Sequence, residues 1–155
     1  MKTLLIVYSY HHNNTEKLAA AIAGVLGAEV KRSGGIKAED LVKYDLVGFG
    51  AGIDSGRHYQ PLLDFAGSLP AVAGKRAFIF STSGAAGKKK MLRDHAALRD
   101  ILRPKGYDIA GEFNCAGFNT NSFLKLIGGI NRGRPDAEDL KRAEDFARGL
   151  LGVRS

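Results

Sequence analysis

The chain has 155 residues, of which 45% are hydrophobic and 25% charged, enough apolar material for one domain with a real core and too much for a disordered or collagen-like chain. Its formal net charge is +7, and a basic balance favours acidic partners: an acidic protein face, an anionic membrane, a phosphorylated ligand or nucleic acid. A single cysteine excludes an intrachain disulfide framework and a cysteine-cluster metal site, and no apolar run approaches the roughly 18 residues that span a bilayer.

Strand and helix patterns alternate along the chain. Leu4 to Tyr8 is a continuous apolar run of β-formers, which suits a strand buried on both faces. The segment Ser9-Tyr10-His11-His12-Asn13-Asn14-Thr15 has no hydrophobic period. From Thr15 a helix is expected, with Leu18, Ala21, Ile22, Val25 and Leu26 on one face and Gly27 as its stop. Ala28 to Arg32 reads as a short strand, and Ala38 to Lys43 as a short helix. Asp45 to Gly50 reads as a third strand, followed by a glycine-rich loop to Gly56 and a helix with Leu62, Phe65, Ala66 and Leu69 on its inner side, closed by Pro70.

Lys75 to Ser81 is the next strand and Thr82 to Gly87 a loop of small residues. Lys88 to Arg103 reads as one helix, with Met91, Leu92, His95, Leu98 and Leu102 along one side. Tyr107 to Phe113 is the fifth strand. Asn114 to Arg134 has weak periodicity, and a loop that long in a compact domain is usually functional. Pro135 opens a last helix whose acidic first turn suits the helix dipole, with Leu140, Ala143, Ala147 and Leu150 as its buried stripe. No repeat, low-complexity tract or linker divides the chain, so residues 1–155 are expected to form a single domain.

Five strands separated by helices imply an α/β protein with a parallel sheet covered on both faces. Ligands in such folds bind outside the carboxyl ends of the strands. The segments there, 9–15, 50–58, 81–87 and 114–134, are also the least periodic and richest in Gly, Ser, Thr and Asn. The first joins a buried strand to a helix start, where unpaired amides and a partial positive charge suit an anion such as a lone phosphate. Asn14 or Thr15 acting as an ordinary N-cap accounts for part of the pattern. The density of donors around them favours a ligand.

Tyr8-Ser9-Tyr10-His11-His12-Asn13-Asn14-Thr15-Glu16 resembles the phosphate loop of flavodoxins, which ends Gly-Asn-Thr-Glu; its Asn, Thr and Glu fall on Asn14, Thr15 and Glu16 without a gap. His12 stands where that family usually has Thr, and Asn13 where it has Gly. Asn tolerates positive φ, and an imidazole N–H can replace a hydroxyl donor. The resemblance implies a loop that wraps the phosphate of FMN with no Lys or Arg. Gly50-Ala51-Gly52-Ile53-Asp54-Ser55-Gly56-Arg57-His58-Tyr59 is similar to the Gly-x-x-Ile-x-x-Gly segment of the flavodoxin-like domain of menaquinone-dependent protoporphyrinogen oxidase. In flavodoxins this loop covers one face of the flavin ring, a role offered here to Ile53 and Tyr59. Ser81-Thr82-Ser83-Gly84 is placed like the loop whose backbone amides meet the ring's pyrimidine edge.

The resemblance therefore implies a flavodoxin-like three-layer sandwich, a five-stranded parallel sheet in the order 2-1-3-4-5 with helices on both faces. It implies FMN as cofactor, held by Ser9, Tyr10, His11, His12, Asn13, Asn14 and Thr15 at the phosphate, and by Ala51, Gly52, Ile53, Asp54, Thr82, Ser83 and Gly84 at the ring. The function implied is electron transfer; the expected location, the cytoplasm, comes from the lack of a spanning apolar run and of a signal-like N-terminal pattern. The alternative is an FMN-dependent oxidoreductase of the quinone reductase or protoporphyrinogen oxidase type; the latter carries a long extra segment where this chain has only Gly84 to Lys90. The +7 charge, with Arg57 and Lys88-Lys89-Lys90 on flanking segments, points to a redox partner with an acidic face. A quinone or an anionic membrane surface is the other expectation, and nucleic acid is not expected.

A phosphoacceptor receiver of similar topology is excluded, because Ser9-Tyr10 and Gly50 stand where an acidic cluster and an Asp are needed. A dinucleotide fold is disfavoured, since no Gly-x-Gly-x-x-Gly follows the first strand. Cys115 is expected to be a small buried hydrophobe, Lys88 to Lys90 a solvated face, and His58 and His95 surface and half-core residues. No His, Asp and Glu spacing suggests a metal.

Overall fold

A computed structural model describes residues 1–8, 14–84, 87–117 and 133–152. Strand β1 (Thr3–Tyr8) leads to helix α1 (Asn14–Leu26), then β2 (Glu29–Arg32). A 3-10 turn over Ala38–Lys43 precedes β3 (Leu46–Asp54), which is followed by the two-residue β4 (Arg57–His58) and α2 (Gln60–Gly67). The chain continues through β5 (Lys75–Ser83), α3 (Lys88–Asp94), α4 (Ala96–Leu102), β6 (Tyr107–Ala116) and α5 (Ala137–Gly152).

The sheet runs β2-β1-β3-β5-β6, all parallel, with β4 pairing antiparallel to the end of β3. Setting aside the two-residue β4, this is the expected 2-1-3-4-5 order. Alternation along β1 divides the core between the two faces. Leu4 and Ile6 join Val47, Phe49, Leu62 and Leu98 under α2 and α4, whereas Leu5 and Val7 join Leu18, Ile22, Phe78, Phe80 and Ala147 under α1 and α5. The edge strand β2 is exposed at all four positions and carries Glu29, Lys31 and Arg32, charges of the kind that guard a free sheet edge.

Four sequence expectations are corrected. Residues 50–54 are not loop: β3 continues through Asp54, turns at Ser55 and Gly56 (φ 54° and 79°), and returns as β4. Two consecutive positive φ values are the signature of the hairpin turn that matches strand twist. Thr82 and Ser83 likewise belong to β5. The helix expected over 88–103 is two helices that meet at His95 (φ −86°, ψ −7°), where the backbone loosens but stays right-handed and the His95 amide still donates to the Met91 carbonyl at 2.9 Å. The predicted loop from Asn114 begins only after β6 ends at Ala116; residues 118–132 lie outside the described residues.

The last helix is fixed at its start by a reciprocal pair. The Asp139 amide donates to Asp136 Oδ1 at 2.9 Å and the Asp136 amide to Asp139 Oδ2 at 2.9 Å, a capping box built from two aspartates. Asp139 is buried and also receives Arg134 and Arg142. Burial pushes its carboxyl up, and these donors overcome that and hold it well below the usual carboxylate range. Cys115 is buried, as expected. Burial first, and the Asp139 charge second, push its thiol up to about 12. Among the described residues no helix is long and apolar enough to cross a membrane.

Candidate functional site

The carboxyl ends of β1, β3, β5 and β6 bring one group of sequence-predicted residues together. Asn14 and Thr15 form the first turn of α1, and both are buried. Thr15 Oγ1 lies 3.1 Å from Thr82 Oγ1, which ties that turn to the end of β5 across 67 residues of sequence. The Gly117 amide donates to the Ser83 carbonyl at 2.9 Å. A Cβ on Gly117 would stand 2.7 Å from Asn14 Nδ2 and 3.2 Å from Asn14 Cβ, so the end of β6 approaches α1 closely and a side chain there would have to displace that of Asn14. Neutral donors, a helix N-terminus and small residues therefore meet at one edge. That donor set fits a phosphate held by amides and hydroxyls.

Ser9, Tyr10, His11, His12 and Asn13, named for the same phosphate, lie outside the described residues. At the ring side the structure separates the predicted residues. Ala51 and Gly52 are buried within β3, paired in register with Ser81 and Thr82, and Ala51 has no exposed side-chain surface. Ile53 is half-buried and Asp54 exposed at the hairpin, and Ser83 and Gly84 are half-buried where β5 ends. Ile53, Asp54, Ser83 and Gly84 are thus the ring candidates with surface to offer. Tyr59 is turned onto the sheet: a Cβ on Gly52 would stand 2.7 Å from its ring, and the ring meets Tyr8 edge-on at 6.1 Å.

His58 and His95 are neither surface nor half-core. They are 1% and 0% exposed, with ring centroids 4.9 Å apart. His95 is brought inside by the same apolar stripe that buries Leu98 and Leu102 one turn and two turns later. His58 is carried in by the hairpin, where it pairs with Ile53. His58 Nε2 lies 3.1 Å from the Phe80 carbonyl, which only accepts, so this nitrogen carries the proton and donates. Burial, reinforced by the neighbouring His95, pushes His58 down to about 3, and the ring is neutral at neutral pH.

His95 belongs to a chain of polar groups that sequence spacing does not reveal. Its Nε2 lies 2.7 Å from Ser81 Oγ, and its Nδ1 2.9 Å from Glu112 Oε1. Arg99 closes the chain with two bonds, Nε to Glu112 Oε2 at 3.0 Å and Nη2 to Oε1 at 3.1 Å. Burial raises the Glu112 carboxyl, and the bonds from His95 and Arg99 more than reverse it, leaving it at about 2. A carboxylate in that state only accepts, so His95 Nδ1 donates. Serine, imidazole and carboxylate are in the order of a nucleophile triad, yet Ser81 is 1% exposed and no acyl group reaches it. Among the described residues no group of three or more His, Cys, Asp or Glu side chains is placed to hold a metal.

Apart from Asp54, the exposed charge at this edge is positive among the described residues. Lys88 and Lys89 are exposed at the start of α3, and α3 packs beside β4, whose Arg57 is exposed too. Lys90 is drawn into an ion pair with the buried Asp94.

Comparison with known proteins matches residues 5–118 to the model of a flavodoxin domain. The protein MJ0298 of Methanocaldococcus jannaschii is 41% identical over 151 residues, covering 97% of this chain and 99% of that one. Oxidised flavodoxin 2 of Bacillus cereus superposes with a TM-score of 0.72 at 20% identity, over 99% of both chains. The flavodoxin of Fusobacterium nucleatum bound to flavin mononucleotide superposes with a TM-score of 0.67 at 14% identity, again over 99% of both. At such identities the solved structures establish the shared fold.

Proposed function

The chain belongs to the flavodoxin family, and on that premise we propose that it binds FMN at the carboxyl edge of its sheet and carries electrons between cytoplasmic redox partners. The observation that carries this reading is the meeting of α1's first turn with the end of β5 through Thr15 and Thr82. Asn14 and Thr15, with Ser9, Tyr10, His11, His12 and Asn13, would hold the phosphate; Ile53, Asp54, Ser83 and Gly84 would meet the ring. Thr82, Ala51 and Gly52 shape the floor beneath it. Bound FMN supplies the electron chemistry, and the protein supplies binding, orientation and electrostatics. A carrier needs no acid, base or nucleophile from the chain. The burial of Ser81 within its Ser–His–Glu order supports a carrier over a catalyst.

The test is ligand discrimination. FMN is expected to bind far more tightly than riboflavin, because the phosphate end supplies most of the donors. A hydrogen bond to a charged group contributes about 1.5–3 kcal/mol, so Thr15→Ala is expected to weaken FMN roughly 10- to 100-fold and riboflavin much less. Thr15→Ser, which keeps the hydroxyl, is expected to retain most of the affinity. Titration of apo-protein with both ligands decides; equal affinities for FMN and riboflavin overturn the assignment.

The partner in this reading presents an acidic face to Arg57, Lys88 and Lys89. Opposite charges steer encounter, and screening removes that steering within a Debye length of about 8 Å at physiological salt. Electron transfer to an acidic partner is therefore expected to slow as salt rises, with a shallower slope in the Lys88→Gln, Lys89→Gln double variant. A rate indifferent to salt in the unaltered protein discards this docking face and leaves the cofactor assignment standing.

A further inference from the structure

The electron-carrier reading uses neither buried imidazole, yet both lie under the edge where the cofactor would sit. His58 holds the Phe80 carbonyl and His95 the Ser81 hydroxyl, the last two residues of β5 before Thr82. His58 also pairs with Ile53 at the end of β3. The two rings thus bridge the ends of β3 and β5, from which the ring candidates Ile53, Asp54, Ser83 and Gly84 follow.

Their hydrogen bonds define where protons sit. His58 carries its proton on Nε2, and its Nδ1 is buried with no partner among the described residues. His95 carries a proton on Nδ1, facing Glu112. Within the Ser81–His95–Glu112–Arg99 chain, its Nε2 is the position able to gain or lose a proton with every bond kept. In the neutral ring Nε2 accepts from the Ser81 hydroxyl; in the charged ring Nε2–H donates to Ser81 Oγ. The same 2.7 Å contact serves both directions, so the ring can change charge without moving.

The surrounding charges leave room for one more cation. From β6 and α4, Glu112 and Arg99 neutralise each other; from α3, Asp94 and Lys90 do the same. On β4, Arg57 is exposed and His58 is neutral, and the β3 carboxylate Asp54 is exposed at the hairpin. A second proton on the imidazole pair would place two cations with ring centroids 4.9 Å apart, so the pair holds one added proton and not two.

We propose that His95 is a redox-linked proton site: when one electron enters bound FMN from an external one-electron donor, one solvent proton is taken up at His95 Nε2 and Ser81 turns from donor to acceptor. The proposal rests on the FMN reading above. No covalent bond other than the new N–H forms, and the electron's charge is offset by the imidazolium. His95 acts through its charge, and Ser81 and Glu112 are positioning residues.

The FMN-loaded protein is reduced stepwise in weakly buffered solution at neutral pH, and proton uptake is counted with an indicator dye. The unaltered protein is expected to take up close to one proton per flavin more than His95→Gln. Independently, 15N spectra of histidine-labelled protein are expected to show His95 Nε2 moving from the imine to the imidazolium range on reduction at constant pH, while His58 stays neutral. Should His95→Gln not fold, the spectra of the unaltered protein decide alone. FMN that binds and reduces with no change at His95, or equal uptake in both proteins, overturns this proposal and spares the FMN reading. Failure to bind FMN overturns both.

Discussion

Gly50→Ala is expected to destabilise the protein by about 3 kcal/mol or more, at the top of the range for overpacking. Gly50 lies in β3, between β1 and β5, paired with Val7 on one side and Phe80 on the other. A Cβ there would stand 2.1 Å from Cε2 of the Phe80 ring, and neighbouring strands on both sides prevent β3 from backing away. The ring has no exit either: Phe80 is fully buried and stacks on Phe78 at 5.9 Å, which in turn occupies the space over Gly48. Gly67→Ala, at the end of α2 with nothing within 4 Å of the added methyl, is the control and is expected to stay within about 0.5 kcal/mol of the starting protein. Phe80→Leu in the Gly50→Ala background is expected to cost less than the two single changes added, since removing the ring makes the room the methyl needs. Urea unfolding followed by circular dichroism measures all four. A Gly50→Ala loss under 1 kcal/mol would mean that the sheet accommodates the methyl and that the argument from ring placement is wrong.

The second large effect is loss of stability in mild acid through His58. Its folded value, about 3, lies below its unfolded value of about 6.5, so the unfolded chain binds the extra proton between these two pH values. The unfolded state therefore gains as pH falls. Stability is fully retained above about pH 6.5 and declines towards pH 3 with a limiting slope of about 1.4 kcal/mol per pH unit. Between pH 6 and pH 4 the His58 contribution comes to about 2 to 3 kcal/mol on this linkage. Glu112, with its folded value depressed to about 2, acts in a different window, below its unfolded value of about 4.3. His58→Gln offers an amide N–H in place of Nε2–H towards the Phe80 carbonyl without a titrating ring. Its stability is expected to be flatter than the unaltered protein's from pH 6 to 4. Parallel stability curves for the two proteins would show that His58 is not buried neutral.

What the sequence made legible followed local rules. The apolar run of β1, the 3.6-residue stripe of α1 and the acidic start of α5 each express one element's own periodicity, and all three form where expected. The β3–β4 hairpin looks like loop in the sequence beyond Gly50, because Gly50, Gly52 and Gly56 punctuate it. Gly50 and Gly52 are strand residues overlaid by rings from elsewhere: Phe80 lies over Gly50 and Tyr59 over Gly52. The helical stripe from Met91 to Leu102 gave no sign of the junction at His95, because the bonds that hold His95 there come from Ser81 and Glu112 on two separate strands. At the phosphate end, Asn14 and Thr15 stand in the first turn of α1, where the sequence puts a helix start, and Ser9 to Asn13 lie outside the described residues. The Ser81–His95–Glu112–Arg99 chain was not legible, since separations of 14, 17 and 13 residues carry no periodicity; the one clue was a histidine in an otherwise apolar stripe.

The buried thiol gives the molecule an internal clock. Cys115 pairs in register with Thr82, so it lies inside the sheet at the edge where the cofactor would bind. With burial pushing its thiol up to about 12, the reactive thiolate is scarce at neutral pH and the folded protein is expected to react slowly with alkylating reagents. Its side chain packs in the core layer with Leu18, Phe80 and Ala147, so exposing the sulfur requires opening that layer at the edge, or global unfolding. The rate at which a thiol reagent consumes the protein therefore counts openings of that edge one molecule at a time. It does so with the chain's only cysteine, which needs no engineered label and has no competing site.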